Sequence, residues 1–260
     1  METNDIDQVA DELLTKFMKI SHKGWIESSR KHNTGIGKTF EDLLDKIEDN
    51  EADPDYKGIE IKTHRNSSQS YTTLFTASPD GPAKAENTRL REKYGHVDIE
   101  SGLNILHSSI FSNRKTTYNK KYKFQLEVNR NDRKIYLMIF DLNDKLLEKI
   151  TYWDFDSLNS KLKRKLKMLA YITSKNKIEN NTEYFLYQEC KLYKFKSFDK
   201  FLDLLEQGVI MLDIRIGVYK SGKNFGKTHD HGTGFRIKEC DIDKLYDEYI
   251  ITSSEQKKED

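Results

Sequence analysis

Residues 54–64 read PDYKGIEIKTH, and the alternation inside this stretch decides how the chain is built. Residues 58–63 have the composition of a strand entered from a Pro/Asp break. Side chains alternate along a strand, so Glu60 and Lys62 share one face while Ile59 and Ile61 share the other, toward a core. Asp55 lies before the bend, which can bring its carboxylate to the Glu60 side. Two hard carboxylate oxygens suit Mg²⁺, which favours octahedral oxygen coordination and keeps several waters. Such a cation acidifies a bound water and stabilises charge on a phosphoryl group. Lys62 can orient or deprotonate the attacking water, or neutralise the developing charge. Together Asp55, Glu60 and Lys62 make a minimal site for phosphodiester hydrolysis. In a chain with 33% charged residues the same Glu-x-Lys also fits an exposed ion pair. Such a pair is worth less than about 1 kcal/mol. The residues alone leave both readings standing.

Just upstream, residues 32–44 read HNTGIGKTFEDLL. Gly37-Lys38-Thr39 has the ending of a phosphate-binding P-loop, but His32 stands where its first glycine belongs. A second near-match at residues 222–228 is one residue too short. A nucleotide-binding loop is therefore not expected. Thr39 reads instead as the cap of a helix whose Phe40, Leu43, Leu44 and Ile47 face inward.

The 260 residues suffice for one large domain or two lobes sharing a cleft. Hydrophobic residues make up 36%, and no apolar run approaches the ~18 residues of a membrane span. The N-terminus METNDIDQVA lacks a signal peptide's basic start and apolar centre. Cys190 and Cys240 stand far apart and read as reduced thiols of a cytoplasmic protein. A net charge of +1 neither suggests nor excludes a polyanionic partner.

Periodicity predicts helices over 5–21, 198–206 and 241–249, and strands over 71–77 and 209–219. It also predicts a hairpin across 124–142. Leu158, Leu162, Leu166 and Leu169 predict an amphipathic helix whose Lys161, Lys163, Arg164, Lys165 and Lys167 are either solvated or backbone-contacting. Residues 253–260 read as a polar, disordered tail. Mixed helices and hairpins indicate α/β or α+β organisation.

A second cluster lies in residues 213–238, DIRIGVYKSGKNFGKTHDHGTGFRIK. Asp213 and Arg215 share a strand face, the following loop carries Lys220, Lys223 and Lys227, and His229 and His231 flank Asp230. Arg236 comes on the return strand. His-x-His suggests zinc, but a zinc centre needs three or four ligands, and only Asp230 or Cys240 is at hand. The other reading is a β-ribbon in a DNA groove. There Arg grips guanine O6/N7, Asp accepts from cytosine N4, and His does either. Lysines and glycine amides would hold phosphates.

Residues 32–44, 54–64 and 213–237 together resemble the MvaI/BcnI-type restriction endonucleases, related to the MutH branch of the PD-(D/E)xK nucleases. The likeness is nearer to MvaI-like members and runs over residues 24–237. It implies a mixed α/β sheet flanked by helices, in two lobes around a DNA cleft. It implies Mg²⁺-dependent cleavage of double-stranded DNA at a short, nearly palindromic site. The family's metal-binding acids fall on Asp55 and Glu60, its lysine on Lys62, and the acid of the preceding helix on Glu41. Its recognition residues fall on Asp213, Arg215, His229, His231 and Arg236. Lys38, Lys223 and Lys227 are candidate phosphate contacts. The expected lobes are 1–155, mainly catalytic, and 156–252, mainly recognition. The resemblance also implies a monomer that nicks one strand at a time, at CC(A/T)GG rather than CC(C/G)GG, with a cognate methyltransferase encoded nearby. A MutH-like repair nickase and a catalytically inactive DNA-binding protein are the alternatives.

Overall fold

Strands β2 (Glu60–Arg65) and β11 (Met168–Glu179) pair in parallel, although about a hundred residues separate them. Parallel partners cannot be joined by a tight turn and need a crossover. The computed structural model that shows this pairing describes residues 3–32, 34–44, 54–66 and 71–250. Ile47 and the tail expected at 253–260 lie outside the described residues.

Before the crossover come α1 (Thr3–Ser21), β1 (Ile26–Glu27) and α2 (Gly35–Leu43). Within it lie β3 (Tyr71–Thr76), α3 (Glu86–Tyr94), β4 (His96–Val97), β5 (Asn104–Ile110) and β6 (Thr116–Tyr118). Then follow β7 (Tyr122–Asn129), β8 (Lys134–Phe140), β9 (Leu146–Glu148), β10 (Tyr152–Asp154) and α4 (Phe155–Lys165). After β11 come β12 (Thr182–Phe195), α5 (Phe198–Glu206), β13 (Met211–Val218), β14 (Thr228–Asp230) and β15 (Gly234–Lys238). The chain then forms α6 (Ile242–Leu245) and β16 (Tyr246–Glu248).

Two compact units result: residues 1–69, 164–196 and 246–260 form one, and residues 70–163 with 197–245 form the other. The single boundary expected at 155/156 gives way to an interleaved division, because the second unit is largely inserted between β2 and β11.

In the first unit the sheet order is β1-β12-β11-β2, with β16 on β12. Its core gathers Ala10, Leu13, Phe17 and Ile20 of α1 with Ile36 and Phe40 of α2. They pack on Ile59, Ile61, Met168, Ala170, Ile172, Phe185 and Tyr187. The buried Tyr187 hydroxyl donates to the Ile36 carbonyl at 2.8 Å, tying α2 to the sheet. The helix expected to run to Leu169 ends at Lys165, because Leu169 belongs to β11, paired with Glu60. The helix expected over 241–249 is only four residues long before β16 forms on β12.

The second unit holds a sheet ordered β3-β15-β13-β5-β4 with β14 on β13, and another ordered β10-β8-β7-β6 with β9 on β8. α5 occupies the expected residues: Ser197 caps it by accepting from Lys200 N at 3.1 Å, and Gly208 (φ +72°) follows its end. Phe75, Phe201, Phe235 and Trp153 form an aromatic core, with Trp153 Nε1 donating to the Ala77 carbonyl at 3.0 Å. The fold is mixed α/β, with several sheets flanked by helices, as expected.

Candidate active site

Lys57 (φ +44°) and Gly58 (φ +95°) form a tight turn closed by Tyr56 and Ile59, whose N–H···O bonds run both ways at 2.8 Å. Two successive residues of positive φ are the geometry of a two-residue hairpin loop, which glycine enters without strain. The turn folds Asp55 back along the start of β2, where its Oδ2 accepts from Ile61 N at 3.0 Å. Ile59 and Ile61 point into the core, as the alternation predicts.

Glu60 is only 1% exposed. The solvated surface ion pair that the sequence allowed therefore does not describe it. Lys62 Nζ donates to Glu60 Oε1, and Lys165 Nζ stands 3.7 Å from the same oxygen. The other oxygen, Oε2, is buried without a hydrogen-bond partner. Burial pushes the Glu60 carboxyl above its usual range, the Asp55 charge adds to this, and the two lysines oppose it. A buried polar atom without a partner is rare in folded proteins and asks for a role. A hard cation held by Asp55 and Glu60 would supply what Oε2 lacks. Among the described residues no group of three or more His, Cys, Asp or Glu side chains converges on a metal position. The donor chemistry of the pair, two carboxylates, is of the kind Mg²⁺ takes, since that ion needs only one or two carboxylates beside water and phosphate.

Glu41 does not complete such a cluster. α2 starts at Gly35, and Thr39, expected as its cap, is buried within it, where Oγ1 accepts from Ser29 N at 2.9 Å. Glycine at 35 is a close approach: a Cβ there would lie 2.4 Å from the Arg30 carbonyl oxygen. A Cβ at Gly37 would lie 3.4 Å from Thr63 Oγ1 and 3.9 Å from Glu41 Oε1, so both groups stand close to Gly37. Lys38 is paired with Asp42 one turn on.

The second cluster is built on β13. Asp213, Arg215 and Gly217 alternate onto one face, and the neighbouring β5 sets Ser109 opposite Asp213 and His107 opposite Arg215. Asp213 is buried. Its Oδ2 lies 2.7 Å from Arg215 Nε and 3.0 Å from Arg236 Nε, and Ser109 Oγ donates to Oδ1 at 3.2 Å. One carboxylate thus pairs with two arginines, Arg215 by a hydrogen bond and Arg236 by charge alone, since the buried Arg236 Nε makes no hydrogen bond.

The return strand is kinked between β14 and β15. Asp230 Oδ1 accepts from Gly232 N and Thr233 N, while His231 N donates to the Arg215 carbonyl at 2.8 Å. The kink, a bulge in effect, re-aims His231 over Gly217, where a Cβ would lie 2.6 Å from its Nε2. His229 sits between Tyr219 and His231, with both ring centroids at 4.3 Å. Burial and the Arg215 charge hold His107 below the usual imidazole range, and burial and His229 do the same for His231. Burial likewise lowers the Arg236 pKa. Lys223 and Lys227 are exposed on the intervening loop, Lys227 donating to Asn224 Oδ1 at 3.2 Å.

All five residues predicted for this cluster thus lie on β13 or the kinked return strand beside it. The zinc alternative has no third ligand among the described residues. Cys240 is exposed, and burial pushes the Cys190 thiol up to about 12. The sequence places Lys165 on a basic helix face but not beside Glu60, and it gives no sign of a role for His107 and Ser109. The last two alternate with Leu106 and Ile110, so their shared face was readable, but their pairing with β13 was not. No helix among the described residues is long and apolar enough to cross a membrane.

A family model described as the MvaI/BcnI restriction endonuclease family matches residues 14–246. A solved structure described as a restriction endonuclease MvaI–cognate DNA substrate complex is 43% identical, with a TM-score of 0.86. That match covers 93% of this chain and 97% of the other. A structure of restriction endonuclease MvaI in the absence of DNA is 42% identical with a TM-score of 0.63, covering 94% of this chain and 97% of that one. Curated protein sequences return no match.

Proposed function

The chain belongs to the MvaI/BcnI restriction endonuclease family, and from that premise we propose a Mg²⁺-dependent enzyme that cuts double-stranded DNA at CC(A/T)GG, one strand at a time. The observation that carries the proposal is the buried, partnerless Glu60 Oε2 beside Asp55 and Lys62. Asp55 and Glu60 would hold the cation. When bound, Mg²⁺ supplies Lewis-acid charge and a more acidic water. The Lys62 ammonium lies beside the Glu60 carboxylate, where it can orient the attacking water and oppose charge growing on phosphorus oxygens. As the water oxygen bonds to phosphorus, one P–O ester bond breaks and the departing oxygen takes up a proton. Glu41 would act from α2, beside that pair rather than within it.

Recognition would fall to the β13 face. Arg215 and Arg236, steadied by Asp213, match guanine acceptors, and His229 and His231 can donate or accept. Lys38, Lys223 and Lys227 would contact phosphates. One Asp55/Glu60/Lys62 set per chain serves one scissile phosphate at a time, which favours a monomer that nicks. The same reading carries with it a cytoplasmic location and a cognate methyltransferase gene encoded nearby. Digestion of defined plasmid DNA with Mg²⁺, followed by end sequencing, tests activity, site and cut position together. Supercoiled DNA passing through an open-circle form supports the proposal, and intact DNA bearing CC(A/T)GG sites overturns it.

A further inference from the structure

We propose that Lys165 is a positioning residue of this same site that makes cation binding at Asp55 and Glu60 contingent on an incoming DNA phosphate. The proposal rests on the nuclease reading above. It starts from topology. α4 ends at Lys165, and four residues later Leu169 lies beside Glu60 in the parallel register of β11 and β2. That register returns the end of α4 to the Glu60 end of β2. Lys163, Arg164 and Lys167 are exposed, whereas Lys165 is half-buried with Nζ 3.7 Å from Glu60 Oε1. Lys62 already donates to that oxygen. Two lysines therefore face the same carboxylate oxygen, which one of them already engages.

Charge gives the second lysine its consequence. Asp55 and Glu60 carry two negative charges, and Lys62 and Lys165 carry two positive ones, so the four groups balance before any cation enters. A divalent cation then adds positive charge around a buried carboxylate that two lysines already face, where screening is weak. A phosphodiester brings one negative charge, and a second develops as the attacking oxygen bonds to phosphorus. The site thus holds its cation weakly when empty of DNA and firmly when the phosphate arrives.

The experiment compares wild type, Lys165→Met and Lys165→Arg. Mn²⁺ binding to the DNA-free protein is followed by the electron paramagnetic resonance of free Mn²⁺, and single-turnover cleavage is measured at saturating Mg²⁺. Lys165→Met should bind Mn²⁺ about tenfold more tightly without DNA, because a repelling charge is gone. It should also cleave about tenfold or more slowly, because that charge no longer meets the transition state. Lys165→Arg should stay close to wild type in both. A lysine that merely braced Glu60 would, when removed, weaken cation binding and cleavage together. Mn²⁺ binding by Lys165→Met that is unchanged or weaker than wild type overturns the proposal. Lys165→Gln carries the same expectations should the Met variant not fold. Wild-type protein that neither binds Mn²⁺ nor cuts DNA overturns the nuclease reading beneath it.

Discussion

Replacing Asp213 with Asn removes the charge on which two arginines of the proposed recognition face converge. Asp213 is 4% exposed, and its Oδ2 lies 2.7 Å from Arg215 Nε and 3.0 Å from Arg236 Nε. The two arginines would respond differently. The Arg215 side chain is 47% exposed and can turn to water. The Arg236 side chain is 18% exposed, so it stays as a desolvated cation facing a neutral amide. Breaking one partner of a buried ion pair costs about 3–5 kcal/mol. With one arginine stranded and the amide still able to accept a hydrogen bond, the lower end applies, about 3 kcal/mol. A chain of this size loses about 2–4 °C of Tm per kcal/mol, so Asp213→Asn should melt ~6–12 °C lower in calorimetry. Adding Arg236→Met to that background should recover much of the loss, because the stranded charge is gone. If Asp213→Asn melts within ~2 °C of wild type, Asp213 is not the hub described here.

Arg236→Ala, assayed on duplexes carrying each of the four central base pairs, should reduce the preference for A·T over G·C by about 1–3 kcal/mol. An equal loss on all four makes Arg236 a phosphate contact. Gly217→Ala should dislodge His231, since its Cβ would lie 2.6 Å from Nε2, and binding to the specific duplex should fall. Binding as tight as wild type would show that the seat of His231 does not matter. His107 and His231 have depressed pKa values, so the unfolded chain takes up protons before the native one does. Their contribution to stability is therefore complete above the unfolded imidazole value of about 6.5, declines as pH falls through it, and levels off below the folded values. Urea unfolding between pH 8 and pH 5 should show this decline, and the His107→Gln/His231→Gln double variant should flatten it. An identical pH dependence in that variant would contradict the assignment.

The sequence was most legible where a signal is local. Helix α5 announces itself through Ser197, its apolar stripe and Gly208. The β7–β8 hairpin shows its alternation and its Asn131-Asp132 turn. The Asp55/Glu60/Lys62 register follows from the period of a strand. The longest strands were missed. β11 and β12 are polar at their outer ends, and their turn is Asn180-Asn181, both at positive φ, a hairpin signal that was present but went unread. Leu169 fitted a helical spacing and is a strand residue, because its pairing with β2 outweighs local periodicity. Thr39 looked like a cap, yet the helix begins at Gly35, where a close backbone approach demands glycine. Lys165, His107 and Ser109 reach their clusters only through strand pairing between distant segments, which no local pattern encodes.

The central claim is that Asp55, Glu60 and Lys62 carry out hydrolysis while residues on the β13 face choose the sequence. Glu60→Gln tests it most directly, with cleavage and binding measured on one preparation and one duplex containing CC(A/T)GG. The account predicts specific binding close to wild type and cleavage slower by about 10²–10³ or more, since an organised charge at the reacting centre is lost. Cleavage near the wild-type rate, or binding that falls in step with cleavage, would contradict it.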